Sequence, residues 1–380
     1  MAKLGEVCKV SPSTKNIERQ GAWLLNLDMV EQETGRVIEY KYVGEDDLNG
    51  SIVQFDTENV LYSKLRPNLN KVVLPQKDGF STSELLPLRP DASVLNKDYL
   101  AAFLRSDSFV TWAVSKTAGA KMPRLGTKDL MNAEIPVPSI EQQKKIAEKF
   151  KKLEQLISLR KQQLAKLDEL VKARFVEMFG DCKTNPKNWK TTALEKIANV
   201  GSSKRVFVGE LQDSGIPFYR GTEIGALAEK KAVIPALFIT EEHYKQLCET
   251  TGKPQKGDLL MPSICPDGRI WIVDTDEPFY FKDGRVLWVH LTSANYNSVF
   301  LLYTLKDRIM TDYASIASGT TFAELKIFAL KKCKIFDVPL ELQNQFANFV
   351  ERVDQQKQTV QQSLEKLELM KKALMQEYFG

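Results

Sequence analysis

A segment of about forty residues occurs twice in this chain, and this repeat limits the possible folds more than any other feature. When the sequence is shifted by 200 positions, residues 139–180 fall on residues 339–380. Between positions 162 and 180, nine residues are identical to their counterparts: Gln162, Leu164, Lys166, Leu167, Lys172, Ala173, Glu177, Phe179 and Gly180. The duplication predicts one structural unit built twice.

Apolar residues recur in both copies at alternating steps of four and three. In the first copy they are Ile146, Phe150, Leu153, Ile157, Leu164, Leu167, Val171 and Met178. In the second copy they are Phe346, Val350, Val353, Val360, Leu364, Leu367, Leu374 and Tyr378. Basic residues interrupt these seams at Arg160, Arg174, Lys357 and Lys371. Such spacing is typical of coiled coils and narrower than the stripe of a globular surface helix.

The ends of each copy carry helix-boundary residues. Ser139 is placed to cap a helix together with Gln142, and Gly180 suits the left-handed residue that ends one. Each helix of about forty residues would be about 60 Å long. An apolar seam requires a partner, and we expect the other copy to provide it. Packing of each helix on its own globular segment, or pairing with a second chain, are the alternatives.

Two globular segments surround the first repeat, and we call residues 1–138 the first head and residues 181–337 the second head. In the first head we expect strands at Val37–Tyr40, Ser51–Phe55 and Lys71–Leu74 and a helix at Lys97–Val114. The second head repeats this plan less faithfully. The domain prediction is therefore 1–138, 139–180, 181–337 and 338–380.

Connectivity predicts that the two helices are antiparallel. The second head begins where the first helix ends and finishes where the second helix begins, and the termini of a domain usually lie close together. We therefore expect an α+β fold in which two globular domains are separated by two long helices. These helices would pair as an antiparallel coiled coil with approximate two-fold symmetry and a head near each end.

Composition favours an ordinary cytoplasmic protein. The chain has 380 residues, of which 43% are hydrophobic and 27% charged, with a net charge of +4. It has no apolar run long enough to span a membrane and no signal-peptide core. The five cysteines are scattered without a C-x-x-C pair, which is typical of reduced thiols. A mildly basic charge allows a nucleic-acid partner but requires any basic surface to be local.

Motifs of catalysis are absent from the sequence. It contains neither a phosphate-binding G-x-x-x-x-G-K-[ST] loop nor a G-x-G-x-x-G fingerprint. His243 and His290 lack ligand-like spacing, so we interpret both as packed or surface residues. Asp274, Asp276 and Glu277 precede a proline and indicate a turn rather than a metal-dependent nuclease site. We expect no catalytic residue and no metal ligand.

Basic and amide residues in the irregular parts of each head, together with two threonines of the second head, are the candidate contacts with a nucleic acid, because such side chains reach bases and phosphates. In the first head the candidates are Lys64, Arg66, Asn68, Lys121 and Arg124. In the second head they are Arg205, Arg220, Arg269, Thr320 and Thr321. The competing interpretation is that most of them are solvated surface residues.

The whole chain resembles the specificity subunits of type I restriction–modification systems. The matching motifs are Pro136-x-Pro138-x-x-Glu141-Gln142 at the first helix, its repeat from Pro339, and the Phe-Gly pair that ends each helix. In the heads they are the run Leu61 to Pro67, Trp189 ahead of Leu194, and Ser318 to Thr321. Two positions depart from the pattern: Ser11 stands where the second head has Gly201, and Leu342 stands where the first helix has the glutamine of its Glu141-Gln142 pair.

The resemblance implies that each head is a target-recognition domain that reads one half of a split double-stranded DNA sequence. It implies that the helices set the spacing of the half-sites and bind two methyltransferase subunits, which use S-adenosylmethionine. Restriction subunits would use ATP and magnesium, and this chain would carry no cofactor.

Two other functions are compatible with the sequence. One is a single-chain or combined restriction and methylation enzyme, which would nick DNA with magnesium alone. The other is a coiled-coil tether with protein-binding heads, which would bind DNA only weakly and without salt dependence.

Overall fold

Two compact units make up the computed structural model, which describes residues 1–19, 21–48, 51–119, 121–319 and 323–380. The first unit comprises residues 1–164 and 359–380, and the second comprises residues 165–358. The chain crosses between the units inside two helices of 40 residues each. The four-part division at 138, 180 and 337 stays a prediction.

The first unit is built on two four-stranded sheets. Its strands are β1 (Ala2–Lys3), β2 (Cys8–Val10), β3 (Ala22–Leu25), β4 (Lys41–Val43), β5 (Ile52–Phe55), β6 (Val60–Ser63), β7 (Val72–Val73), β8 (Gly79–Thr82), β9 (Leu85–Pro90), β10 (Thr117–Ala118), β11 (Arg124–Leu125) and β12 (Glu134–Ile135). One sheet has the order β2-β9-β6-β7 and the other β4-β3-β8-β5. Strands β1 and β12 pair, and β10 and β11 form a hairpin.

The helices of the first unit are α1 (Leu4–Val7), α2 (Lys97–Leu104), α3 (Asp107–Ser115), α4 (Thr127–Met131), the beginning of α5 (Ile140–Phe179) and the end of the C-terminal helix, from residue 359 onward. The single helix expected at Lys97–Val114 is wrong. Ser106 Oγ accepts a hydrogen bond from the Phe109 amide at 3.3 Å and starts a second helix there. The strand expected at Val37–Tyr40 is also wrong, because β4 begins only at Lys41.

The second unit repeats this topology. Its strands are β13 (Thr191–Ala193), β14 (Ala198–Gly201), β15 (Ile216–Tyr219), β16 (Phe238–Ile239), β17 (Leu259–Pro262), β18 (Trp271–Ile272), β19 (Tyr280–Phe281), β20 (Val286–Leu291), β21 (Ala317–Ser318), β22 (Glu324–Leu325) and β23 (Lys334–Phe336). The sheet order β14-β20-β17-β18 matches β2-β9-β6-β7, and β16-β15-β19 matches β4-β3-β8. The helices are the end of α5, α6 (Gly221–Ala228), α7 (Glu241–Thr251), α8 (Ser298–Ile316), α9 (Ile327–Lys331) and the beginning of α10 (Leu340–Phe379).

Helices α5 and α10 pair in antiparallel fashion inside the first unit. Lys149 Nζ donates to Tyr378 Oη at 2.8 Å, Lys371 Nζ donates to Glu154 at 3.0 Å, and Lys161 Nζ lies 3.3 Å from Glu368. Residue numbers rise along α5 as they fall along α10, which confirms the expected antiparallel pairing of the two repeats. The basic interruption of the seam at Lys371 is therefore neutralised by a carboxylate of the facing helix.

The same helices also pair in the second unit. Lys357 Nζ donates to Asp168 Oδ1 at 2.5 Å. Phe346 lies near the start of α10, and its ring packs 5.5 Å from those of both Phe175 and Phe179 near the end of α5. These aromatic residues are part of the core of the second unit. The helices therefore belong to the hydrophobic cores of the units and are not separate from them.

The fourteen residues predicted to pair the helices are all buried or half-buried: Ile146, Phe150, Leu153, Ile157, Leu164, Leu167, Val171, Phe346, Val350, Val353, Val360, Leu364, Leu367 and Leu374. Pairing requires such burial, and the pairing role of each residue stays a prediction. Helix ends also follow the expected residues: the Gln142 amide donates to Ser139 Oγ at 3.3 Å, and Gly180 has φ of +85°. In the described ranges, no helix is long and apolar enough to cross a membrane.

Candidate nucleic-acid interface

In the first unit, the loop after β6 is hydrogen-bonded to the β10–β11 hairpin. The Leu125 amide donates to the Lys64 carbonyl at 2.9 Å, and the Arg66 amide donates to the Pro123 carbonyl at 2.8 Å. Arg66 has a left-handed backbone, with φ of +49°, just before the turn that contains Asn68. These contacts bring Lys64, Arg66 and Arg124 together, although about sixty residues separate the two segments.

The Glu84 carboxylate lies among the basic residues of this loop. Arg124 Nε donates to Glu84 Oε1 at 3.0 Å, and Lys64 Nζ lies 4.0 Å from Glu84 Oε2. Arg66 and Asn68 are exposed and have no side-chain hydrogen bond or ion pair with the described residues. Lys121, near the tip of the hairpin, is exposed as well. The loop therefore presents more positive than negative charge to solvent, as a surface for phosphates and base edges requires.

The second unit joins its corresponding loop to its hairpin in the same way. The Leu325 amide donates to the Ser263 carbonyl at 2.7 Å, and the Ser263 amide donates to the Arg285 carbonyl at 2.9 Å. Arg285 Nη1 donates to Glu324 Oε1. Sequence reasoning did not include Arg285, Glu84 or Glu324 among the candidates. The available signal was the repeat itself, because Arg124 and Glu324 lie 200 positions apart with opposite charge.

Arg220 and Arg269 also lie close to the end of β17. Gly221 and Gly225 of α6 pack against Pro262, and a Cβ atom on Gly225 would come within 2.9 Å of Arg269 Nη1. A glycine at position 225 therefore leaves space for the guanidinium. Arg269 Nε lies 2.8 Å from Asp267 Oδ2. Arg269 therefore lies beside α6, and the Arg285 carbonyl lies beside Gly221, the residue that follows Arg220.

Arg220 is held firmly by one carboxylate. Its Nε and Nη2 atoms donate to the two oxygens of Glu223 at 3.1 and 2.6 Å. Burial opposes ionisation of Glu223, but hydrogen bonds from the Arg220 side chain and backbone and from Thr222 outweigh it and lower the Glu223 pKa to about 2. The pair therefore stays ionised throughout the physiological pH range.

Arg205 occupies a more exposed place. Its guanidinium lies 5.5 Å from the centre of the Phe207 ring, and both residues are exposed. The Ser202 hydroxyl donates to the Val286 carbonyl at 2.6 Å and accepts from the Gly284 amide at 2.9 Å. These bonds hold the segment leading to Arg205 beside the turn that carries Arg285. The last two candidates, Thr320 and Thr321, lie outside the described residues.

Metal-ligating and nucleophilic groups are not collected into a site in the described part of the chain. No group there of three or more His, Cys, Asp or Glu residues could hold a metal ion. His290 Nδ1 lies 2.7 Å from Asp258 Oδ1, and His243 lies 4.0 Å from Glu210. Burial raises the pKa of the Cys265 thiol to about 12, which leaves it protonated and unreactive.

Comparison with known proteins identifies the family. The family described as "Type I restriction modification DNA specificity domain" matches residues 1–169 and 186–369, which is most of the chain. The chain belongs to this family. The match covers the first head, residues 186–337 of the second head, and the first 30 of the 40 residues of each long helix, in agreement with the internal repeat.

Curated relatives carry the same description. The chain is 24% identical over 380 residues to the type I restriction enzyme MjaIX specificity subunit of Methanocaldococcus jannaschii, covering 92% of this chain and 84% of that protein. Identity to the MjaVIII specificity subunit of the same organism is 23%, covering 81% and 75%. The alignment with the EcoDI specificity subunit of Escherichia coli is 27% identical but spans only 33% of this chain and 27% of that protein.

Solved structures show the same fold. A chain from a structure titled for complex assembly and conformational transition of the type I R-M system matches with a TM-score of 0.60 and 18% identity, covering 100% of this chain and 96% of that chain. The S subunit from M. genitalium matches with a TM-score of 0.59 and 15% identity, covering 100% and 95%. At these identities the comparison supports the fold alone.

Proposed function

We propose that this chain is the DNA sequence-recognition subunit of a type I restriction–modification complex and that it catalyses no reaction itself. One observation carries the proposal. The two heads share one topology, and in each of them basic residues gather where a loop meets a hairpin. Each head then reads one half of a bipartite double-stranded target. Membership of the specificity-domain family supports this function over a tether or a single-chain nuclease.

The partners follow from the same proposal. Two methyltransferase subunits dock on the paired helices and use S-adenosylmethionine, and restriction subunits use ATP and magnesium. Some apolar side chains of α5 and α10 are exposed, although most apolar residues of these helices are covered, and this exposure supports a docking role. The exposed residues are Leu156, Leu159, Leu170, Val176, Leu369 and Met370. The complex acts in the cytoplasm, where its DNA lies.

The DNA contacts within this function are Lys64, Arg66, Asn68, Lys121 and Arg124 in the first head and Arg205, Arg220, Arg269, Thr320 and Thr321 in the second. Exposure of Arg66, Asn68, Lys121 and Arg205 supports their assignment. Arg220 and Arg269 are each engaged by a neighbouring carboxylate, which fixes their orientation. A guanidinium oriented in this way loses less conformational entropy when it binds a base or phosphate.

Methylome sequencing tests the proposal directly. The chain is expressed with its methyltransferase subunits in a host without DNA methylation, and modified adenines are mapped. We expect one motif with two specified parts and an unspecified spacer, absent when this chain is omitted. Modification without a common sequence would contradict the proposal, and magnesium-dependent nicking by the purified chain would contradict its non-catalytic role.

A further inference from the structure

We propose that Arg285 is a specificity-determining residue of the second head, equivalent to Arg124 of the first, and that Glu84 and Glu324 are positioning residues that orient these two arginines. The inference rests on the proposed function, since it concerns how the heads read DNA. It adds three residues that the sequence did not indicate. It also explains how two heads of one topology would present different groups to their half-sites.

The backbone makes the two sites equivalent. In the first unit the Lys64 amide donates to the Glu84 carbonyl at 3.0 Å, and the Lys64 carbonyl accepts from the Leu125 amide at 2.9 Å. In the second unit Ser263 makes the same two bonds, to Arg285 at 2.9 Å and from Leu325 at 2.7 Å. Glu84 therefore occupies the position of Arg285, and Arg124 the position of Glu324. We call this arrangement the hairpin anchor.

The side chains of the hairpin anchor are exchanged between the units. In the first unit the carboxylate comes from the turn before β9 and the guanidinium from the hairpin, as Glu84 and Arg124. In the second unit the guanidinium comes from the turn before β20 and the carboxylate from the hairpin, as Arg285 and Glu324. An ion pair thus joins the same two segments in both units, but its polarity is reversed.

Each carboxylate also has a second cation nearby. Lys64 Nζ lies 4.0 Å from Glu84, and Lys326 Nζ lies 3.6 Å from Glu324. The cluster around each hairpin anchor therefore has two positive charges and one negative charge. An excess of positive charge in both units is what binding of DNA phosphates or base acceptors requires.

Exposure indicates which member of the pair faces solvent. The Glu84 and Glu324 side chains are 25% and 29% exposed, whereas those of Arg124 and Arg285 are 44% and 56% exposed. The carboxylate is the inner group and the guanidinium the outer group in each unit. Arg124 uses Nε for Glu84 and Nη1 for the Met122 carbonyl, at 3.3 Å, and its Nη2 has no acceptor among the described residues.

The reversal changes where the guanidinium is presented. Arginine binds guanine through a planar set of donors, so the base that it recognises depends on where the guanidinium is held as well as on its charge. In the first head the donor group is carried by the hairpin, and in the second head by the turn. The same anchor thus places a cation at two different sites, which allows the heads to recognise different bases.

Charge-swap variants test this inference. Glu84→Arg with Arg124→Glu gives the first head the polarity of the second, and Arg285→Glu with Glu324→Arg does the reverse. Each is assembled with the methyltransferase subunits, and thermal stability is measured beside affinity for the target and for duplexes altered in one half-site. Both double variants should melt close to the wild type, because the ion pair is restored.

The same double variants should bind the original target at least tenfold more weakly, through the affected half-site alone. A double variant that recovers both stability and the original preference would overturn the inference, because the pair would then act only as a tether. Exchange of the exposed pair Lys256 and Asp276, which lie 2.9 Å apart, is the matched control and should change neither property.

Neutral variants distinguish positioning from folding. Glu84→Gln and Glu324→Gln keep the shape of the carboxylate and should reduce discrimination between the target and the altered half-site while retaining affinity for unrelated DNA. Unchanged discrimination would refute the positioning role. Failure of the proposed function would look different, because the wild-type complex itself would then show no sequence preference.

Discussion

Gln143 and Gln343 occupy equivalent positions in the two long helices and make the same three hydrogen bonds. Both are fully buried. Gln143 accepts from the Asn96 amide at 2.8 Å and donates to the carbonyls of Val94 and Pro138 at 2.9 and 2.8 Å. Gln343 accepts from the Asn297 amide at 2.9 Å and donates to the Asn295 and Val338 carbonyls at 3.1 and 2.7 Å. Each glutamine joins a helix start to the loop before α2 or α8.

This relationship predicts that Gln143→Leu and Gln343→Leu each lower the free energy of unfolding by about 3 kcal/mol, because three backbone groups lose their buried partners. Gln142→Leu is the matched control, since Leu342 already occupies the corresponding position of the second helix. Its effect should be below about 1 kcal/mol, because Gln142 is exposed and its hydrogen bonds within the described ranges are the helix-capping bonds with Ser139. Chemical denaturation measures both. Equal losses at 142 and 143 would contradict the argument.

The apolar seam predicts that Leu364→Asp disrupts helix pairing. Leu364 is 6% exposed, and an unpaired carboxylate there would destabilise the folded state by several kcal/mol. Leu164→Asp should act in the same direction but more weakly, because Leu164 is only half-buried. Leu369→Asp is the control, since Leu369 is 69% exposed. Melting temperature is the measurement, and a wild-type value for the Leu364 variant would rule out the assigned seam.

The ion pairs of Glu154 lead to a further prediction about stability. Glu154 lies 3.3 Å from the buried guanidinium of Arg105 and 3.0 Å from Lys371. Burial lowers the pKa of Arg105, and Glu154 opposes this effect. Glu154→Ala should therefore cost about 3 kcal/mol, because it leaves a buried cation without its counter-ion. Lys371→Met should cost less than about 1 kcal/mol, since Arg105 keeps its partner. Urea unfolding of both variants checks the order, and the reverse order would refute the explanation.

How far the sequence predicted the structure depends on the range of the interactions. The helices Ile140–Phe179 and Leu340–Phe379 were expected almost to the residue, because their periodicity and end residues are local signals. The antiparallel pairing followed from connectivity. Local signals failed at Ser106, where one hydroxyl divides an apolar helical stretch in two.

The candidate site was less accessible to sequence reasoning. Lys64, Arg66 and Arg124 could be proposed from residue type, but nothing local shows that they meet. Glu84 is forty residues from Arg124, and Arg285 is thirty-nine from Glu324, so each hairpin anchor exists only after folding. Alignment of the two heads could have shown the reversed charges, but not that the turn and the hairpin are in contact.

Arg66 and Asn68 lead to a prediction about base reading. Both are exposed in the loop after β6, so their alanine variants should fold normally. If they contact bases, each variant should weaken discrimination at one half-site by about 1–3 kcal/mol. Lys41→Ala, at an exposed lysine of β4, is the control and should leave discrimination unchanged. A uniform loss of affinity on all duplexes, with a salt dependence reduced by about one phosphate contact, would instead assign them to the backbone.

Domain exchange separates the predicted head boundaries from the boundaries of the compact unit. Replacing residues 181–337 with the matching segment of a relative should change one half of the methylated motif, because that segment carries Arg205, Arg220 and Arg269. It should also reduce the melting temperature, since Phe179 and Phe346 would then face a foreign core. Replacing residues 165–358 transfers those aromatic residues and the paired helix portions together. This second chimera should change the same half of the motif and melt closer to the wild type.

Thermal melting and methylome sequencing of both chimeras check these expectations, with the wild-type chain as the control. A change in both halves of the motif would show that the heads do not read DNA independently. A less stable 165–358 chimera would show that the core does not divide where the contacts indicate.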